Sequence, residues 1–225
     1  VNQYRFQRHD LAWLDPEIDA GEFASEQQAE YARSWVMKGF PLVVARQTDV
    51  HLSEPNQIIL GFTLPSAPSR IRVMLRANRS AIIRHSRPIL LSETINFAPV
   101  NWRIGLNNLV ALFEKFKIVA RVYGSLSSEI FSGMRYLDEA SDLDLLLEIS
   151  DETNLPMLLA ELGDFPLSLP RIDGEILSSS GWAAPWRELT TALHTGSSCK
   201  VLAKSISEIR LIPAEEFIQS TLITA

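Results

Sequence analysis

Ser141-Asp142-Leu143-Asp144-Leu145-Leu146-Leu147-Glu148-Ile149 is the stretch on which the reading of this chain turns. From Asp142 onward it alternates, so that Leu143, Leu145 and Leu147 take one face of an extended strand while Asp142 and Asp144 share the other. Two carboxylates so placed repel each other unless a cation lies between them. A pair of oxygen ligands with open positions is also how Mg2+ (or Mn2+) is held before a phosphate completes its shell. Standing alone, D-x-D more often marks a strand with a polar, solvated face, and its surroundings must decide. Glu148 falls on the same face but lies about 13 Å beyond Asp144 at the rise of a strand, too far to share a metal.

Working outward, Val119 to Tyr123 reads as a strand that ends at Gly124-Ser125. Glycine permits close backbone approach, and the Ser125 hydroxyl with nearby N–H groups can bind terminal phosphates. The same two residues also serve as a plain strand-to-helix turn with Ser125 as its cap, and the two readings are compatible. Downstream, in Arg171-Ile172-Asp173-Gly174-Glu175-Ile176, Asp173 and Glu175 share a face. If that strand lies beside the Asp142 strand, one of them completes the site and takes a proton from an attacking hydroxyl. Asp173 is the favoured residue and Glu175 the alternative.

The remaining pattern predicts an α+β protein. Residues 26–38 have helical spacing at Ala29, Ala32, Val36 and Met37. Strands are expected at Pro41–Ala45, Gln57–Phe62 and Arg70–Leu75, separated by Pro65 and Pro68. Residues 101–116 carry Leu106, Leu109, Val110, Phe113 and Phe116 on one helical face. After the Asp142 strand come a helix from about Asn154 to Leu162, a strand at Arg171–Leu177, a helix at Pro185–His194 and short strands from Lys200 to Leu211. The expected organisation is a small N-terminal α+β domain over 1–96, for binding substrate or a carrier protein, followed by a mixed α/β catalytic domain over 97–225.

Hydrophobic residues make up 46% of the 225 and charged residues 21%, a balance that excludes a disordered chain. Cys199 is the only cysteine, which excludes an intrachain disulfide and a zinc site built from several cysteines. The net charge of −6 speaks against a general nucleic-acid binder. Arg70, Arg72, Arg76, Arg79, Arg84 and Arg87 nevertheless follow one another without an Asp or Glu. That run predicts a local basic surface suited to a polyphosphate or an acidic protein. Val1 to Leu14 mix Arg5, Arg8, His9 and Asp10 with apolar residues, so no signal peptide or membrane span is expected there, and the expected location is the cytoplasm.

The Gly-Ser turn followed by a D-x-D strand resembles the nucleotidyltransferase superfold of DNA polymerase beta. The long insert between Ser125 and Asp142, Tyr136-Leu137, Ser141 to Leu146, the D-G-E-I run from Asp173 and Trp186-Arg187-Glu188-Leu189 are similar to one branch of it. That branch is the phosphoribosyl-dephospho-coenzyme A transferases, the holo-acyl-carrier-protein synthases of malonate decarboxylase. Arg8-His9-Asp10-Leu11, Trp35, Gly39, Pro41-Leu42-Val43-Val44 and Arg46 extend the likeness to the N-terminal part. Ser128-Glu129 and Ser132-Gly133 depart from the Trp-Gln and Thr-Gly that the branch would have.

The resemblance implies transfer of the phosphoribosyl-dephospho-CoA unit from triphosphoribosyl-dephospho-CoA to a serine of the acyl-carrier subunit of malonate decarboxylase, with pyrophosphate leaving. It implies that Asp142 and Asp144 hold one or two Mg2+ ions, that Asp173 or Glu175 helps deprotonate the serine, and that Gly124-Ser125 and their loop hold the pyrophosphate. Two other readings stay open. One is a nucleotidyltransferase acting on a small-molecule hydroxyl, and the other an inert nucleotide-binding module, which the acidic residues disfavour.

Overall fold

The computed structural model describes residues 6–17, 22–23, 25–47, 56–65, 70–165, 170–195 and 199–220. They fall into two compact units. One runs to Pro88 and takes in Phe131–Arg135 and Ile206–Glu208, and the other is built from Ile89–Ile130, Tyr136–Ser205 and the chain from Ile209 on. The α+β class expected from the sequence is the class observed.

The first unit is a six-stranded antiparallel sheet with one helix against it. Its elements are β1 (Leu11–Leu14), β2 (Glu22–Phe23), α1 (Glu26–Met37), β3 (Leu42–Val44), β4 (Gln57–Leu64), β5 (Ile71–Asn78) and β6 (Ile82–Ser86), and the strand order is β2-β5-β4-β3-β1-β6. Ser25 starts α1 by accepting a hydrogen bond from the Gln28 N–H (3.3 Å), and Gly39 follows its end at φ 71°. The helix buries Ala29, Ala32, Trp35 and Val36, whereas Met37 is 71% exposed. Trp35 thus takes the place in the stripe that spacing had given to Met37. Its ring stacks on Phe62 with centroids 4.4 Å apart, and its indole N–H donates to the Pro41 carbonyl.

The expected single basic surface does not form. β5 lies next to one edge of the sheet and β6 is the opposite edge, so β4, β3 and β1 separate Arg72 and Arg76 from Arg84. The 3-10 turn Arg79–Ala81 carries the chain across instead of folding β5 back on β6. Several of these arginines also have local tasks. Arg79 lies over the Phe6 ring, Arg84 lies 4.2 Å from the Trp13 ring centroid, and Arg87 bonds Asp10.

Asp10 is fully buried, and its carboxylate gathers the Gln7 N–H (2.8 Å), His85 Nε2 (2.8 Å) and the Arg87 guanidinium. Removing one partner of such a cluster leaves the others facing a low-dielectric interior. Asp10→Ala should therefore lower stability by about 3 kcal/mol in urea unfolding. A loss under about 0.5 kcal/mol, the range of an ordinary surface change, would show that this carboxylate does not hold the unit together.

The second unit begins at Ile89, upstream of the 96/97 boundary expected from sequence, because Ile89–Leu90 already join its sheet as an edge strand. Its elements are β7 (Ile89–Leu90), α2 (Leu91–Thr94), α3 (Arg103–Lys115), β8 (Val119–Val122), α4 (Gly124–Ser132), β9 (Leu143–Glu148) and α5 (Leu155–Gly163), then β10 (Ile172–Leu177), β11 (Ala183–Pro185), α6 (Trp186–Thr195), β12 (Lys200–Lys204), β13 (Ile209–Pro213) and α7 (Ala214–Ser220). The sheet order is β13-β12-β11-β10-β9-β8-β7, with β9 and β10 parallel and the other pairs antiparallel. Leu143, Leu145 and Leu147 pack with Leu106, Leu109 and Phe113 of α3 and Leu155, Leu158, Leu159 and Leu162 of α5 into one core. Burying that face fixes the strand's pleat and turns Asp142 and Asp144 to the opposite side.

Candidate active site

The parallel pairing of β9 and β10 sets Leu143 opposite Ile172 and Asp144 opposite Asp173. The same register, continued one residue back by the Leu143 N–H bond to the Arg171 carbonyl (3.0 Å), sets Asp142 beside Arg171. One face of this strand pair therefore carries four side chains in a square. Asp142 and Arg171 form one row, and Asp144 and Asp173 the next. Rows lie about 6.6 Å apart along the strands and partners about 4.8 Å apart across them. Gly174 makes this approach possible: at φ 154° it has no side chain where a Cβ would stand 2.1 Å from the Leu145 carbonyl oxygen.

The Gly-Ser bend meets this square directly. Gly124 has φ 66°, and a Cβ placed on it would lie 1.9 Å from Asp144 Oδ2 and 2.7 Å from Cγ, so the carboxylate rests against the bare Cα. The Tyr123 N–H donates to the Asp144 carbonyl (3.1 Å), tying the end of β8 to the same residue. Ser125 lies in the first turn of α4, where backbone N–H groups have no partners within the helix. Gly124, Ser125, Asp144 and Asp173 thus belong to one locality.

Asp142 differs from Asp144 in its surroundings. Arg171 grips it with both nitrogens of its fork, Nε to Oδ1 at 3.0 Å and Nη2 to Oδ2. That hydrogen bonding, helped by the charges of Arg171 and Arg187 and opposed by partial burial, holds the Asp142 carboxyl below its ordinary range. Arg187 sits at the start of α6, where it donates to the Ile172 carbonyl (2.9 and 3.2 Å) and lies over the Trp186 ring. Glu175 shares the Asp173 face but is buried farther along β10 and bonded by Lys204 (2.8 Å). Glu148 is engaged by Arg121 Nε (3.0 Å).

Sequence reasoning missed the cationic member of this face. Arg171 stands two residues before Asp173, the same alternation that singled out the acids, and that spacing was the available signal. The insert before β9 is held by Glu129, which accepts from the Tyr136 and Leu137 N–H groups (2.8 and 2.9 Å). A turn at Asp138, closed by Ala140 N–H and Ser141 Oγ (both 2.9 Å), then delivers the chain to Asp142. Glu129 is one of the residues where the chain departs from the branch pattern, and one of its carboxylate oxygens meets both the Tyr136 and the Leu137 N–H groups.

An oxygen-only donor set around adjacent like charges is suited to a hard divalent cation. Among the described residues no group of three His, Cys, Asp or Glu side chains is arranged to hold a metal, and Asp142 is paired with Arg171.

Two family models match the chain. The one described as the phosphoribosyl-dephospho-CoA transferase MdcG N-terminal domain covers residues 7–88, and the one described as the C-terminal domain covers residues 90–215. The chain belongs to the phosphoribosyl-dephospho-CoA transferase family. The family's two models meet where the two compact units meet. A relative named phosphoribosyl-dephospho-CoA transferase from Xanthomonas campestris pv. campestris (strain 8004) is 32% identical over 92% of this chain and 93% of its own length. One of the same name from Bradyrhizobium diazoefficiens is 33% identical over 94% and 92%. No solved structure gives a significant match. The chain is therefore a transferase with a substrate of the dephospho-CoA type. Among its described residues no helix is long and apolar enough to cross a membrane.

Two expectations follow for this family member. Gly124→Ala should leave the far-ultraviolet circular dichroism unchanged but push the Asp144 carboxylate aside. A displacement near 1 Å in a catalytic group can cost about 100-fold in rate, and a loss of that order is expected in a transferase assay; a variant of full activity would separate the bend from the carboxylate. In metal-free buffer, Asp144→Asn and Asp173→Asn should each leave stability equal or raise it by up to about 1 kcal/mol, because like charges on neighbouring strands are relieved. A fall in the thermal midpoint for either would assign that side chain to the scaffold.

Proposed function

We propose that this transferase moves the 2'-(5''-phosphoribosyl)-3'-dephospho-CoA group from its triphosphate precursor to a serine of the acyl-carrier subunit of malonate decarboxylase, releasing pyrophosphate. The observation that carries the reading is the contact of Gly124 with Asp144, in register with Asp173, within a chain of this family. A phosphate-binding bend and a carboxylate pair in one locality are what transfer to a hydroxyl from a polyphosphate requires.

In the proposed reaction the serine Oγ forms a bond to the α-phosphorus. The bond from that phosphorus to the oxygen bridging the β-phosphate breaks, and pyrophosphate departs with the electron pair. The serine proton passes to a carboxylate, which we assign to Asp173. Glu175 is the weaker candidate, since its buried carboxylate is already bonded by Lys204. Asp142 and Asp144 are the residues that would hold Mg2+ or Mn2+, and such an ion supplies neutralisation of the phosphate oxygens. Ser125 and the first-turn N–H groups of α4 are assigned to the leaving pyrophosphate. Binding of the precursor or the carrier is assigned to the N-terminal unit, and the reaction to the cytoplasm.

The decisive assay mixes the protein, Mg2+, the triphosphate precursor and apo-carrier protein. Intact-mass spectrometry should record the added group on the carrier, with one pyrophosphate released per carrier labelled. Asp144→Asn should slow labelling by about 100- to 1000-fold, the scale set by loss of one electrostatic anchor. Labelling that survives the substitution would sink the mechanism, and labelling of a small hydroxyl compound with the carrier left untouched would favour the rival transferase.

A further inference from the structure

The square of side chains on β9 and β10 holds three carboxylates and one guanidinium, and the guanidinium stands where a metal ligand was expected to be available. Asp142 presents both oxygens to Arg171, so a cation on either oxygen would stand beside the positive charge of the guanidinium. Arg171 is 62% exposed, which gives its long side chain room to leave. Asp142 foremost, then Asp173 and Asp144, favour its charged form.

We infer that Arg171 is an exchange residue: it neutralises Asp142 while no divalent cation is bound, yields that carboxylate to the cation, and then turns its guanidinium to the anionic phosphates of the substrate. The inference rests on the reading of Asp142 and Asp144 as the metal-holding pair. A guanidinium and a divalent cation on the same carboxylate each raise the energy of the other by like-charge repulsion. The fork that fits a carboxylate fits a phosphate as well, so the side chain released from Asp142 keeps an anionic partner on the same face. Metal and polyphosphate then bind as a unit, and the metal-free enzyme is spared an uncompensated cluster of three negative charges. Arg187 stays in place through this exchange, since its Nε and Nη2 both donate to the Ile172 carbonyl and its plane lies on Trp186.

The test is binding, measured without turnover. Mn2+ affinity is read by electron paramagnetic resonance for the wild-type chain, Arg171→Gln, Arg171→Lys and Asp144→Asn, and pyrophosphate affinity by calorimetry at saturating Mn2+. Removing the competitor should tighten Mn2+ binding by Arg171→Gln about 10-fold, with Arg171→Lys between it and wild type. The same glutamine variant should bind pyrophosphate about 10-fold more weakly, since a charge-assisted pair with phosphate is lost. Mn2+ affinity that is unchanged or weaker in Arg171→Gln, while Asp144→Asn still abolishes binding, would overturn the exchange and leave the metal site standing. Unchanged pyrophosphate affinity would overturn its second half. Mn2+ binding indifferent to Asp144 would remove the metal-holding reading, and this inference with it.

Discussion

The parallel pairing of β9 with β10 is the constraint on which the rest of the site depends. Leucines on one face of β9 are driven into the core, which turns the aspartates outward, and the register of the next strand then decides what each aspartate meets. Asp144 meets Asp173 and Asp142 meets Arg171. A slip of one residue would send Asp173 to the core face and bring Ile172 out among the carboxylates. Gly174 helps to enforce the pairing, because any larger residue there would strike the Leu145 carbonyl.

Like charges brought together this way need compensation, and the fold supplies it from basic side chains on the same sheet. Asp142 is matched by a nearby guanidinium, Glu175 by Lys204 and Glu148 by Arg121. Asp144 leans against the Cα of Gly124, and the charge of Arg171 acts on both Asp144 and Asp173. The strand pair thus sets two carboxylates, Asp144 and Asp173, opposite each other with one guanidinium a row away. Phosphate chemistry is expected at such a point, provided a cation can enter.

Much of this was legible in the sequence, and for identifiable reasons. The alternation around Asp142 and around Asp173 needs only the period of a strand, and the helices at 26–37 and 103–115 declare themselves by their apolar stripes. Glu26–Met37 was mistaken in one detail, since a helical wheel alone does not distinguish Trp35 from Met37 as the residue that Phe62 will receive. β1, β6 and β11 were passed over. Leu11–Leu14 is short, Ile82–Ser86 carries exposed Ile83 and Arg84, and Ala183–Pro185 ends in proline, so none shows a clean period. The basic run was misread because neighbours in sequence were taken for neighbours in the sheet. Strand order is a tertiary property, and β5 and β6 lie apart for reasons invisible in residues 70–87. Arg171 escaped notice for a related reason: its significance depends wholly on standing beside Asp142.

The most direct measurement is the anomalous scattering of Mn2+ in crystals grown with the metal and pyrophosphate. The expected map has a peak about 2.1 Å from an Asp144 oxygen, with an Asp142 or Asp173 oxygen and a pyrophosphate oxygen in the same shell. A fully occupied peak elsewhere in the molecule, with Asp144 bound to no ion, would contradict the assignment of this face as the centre of the chemistry.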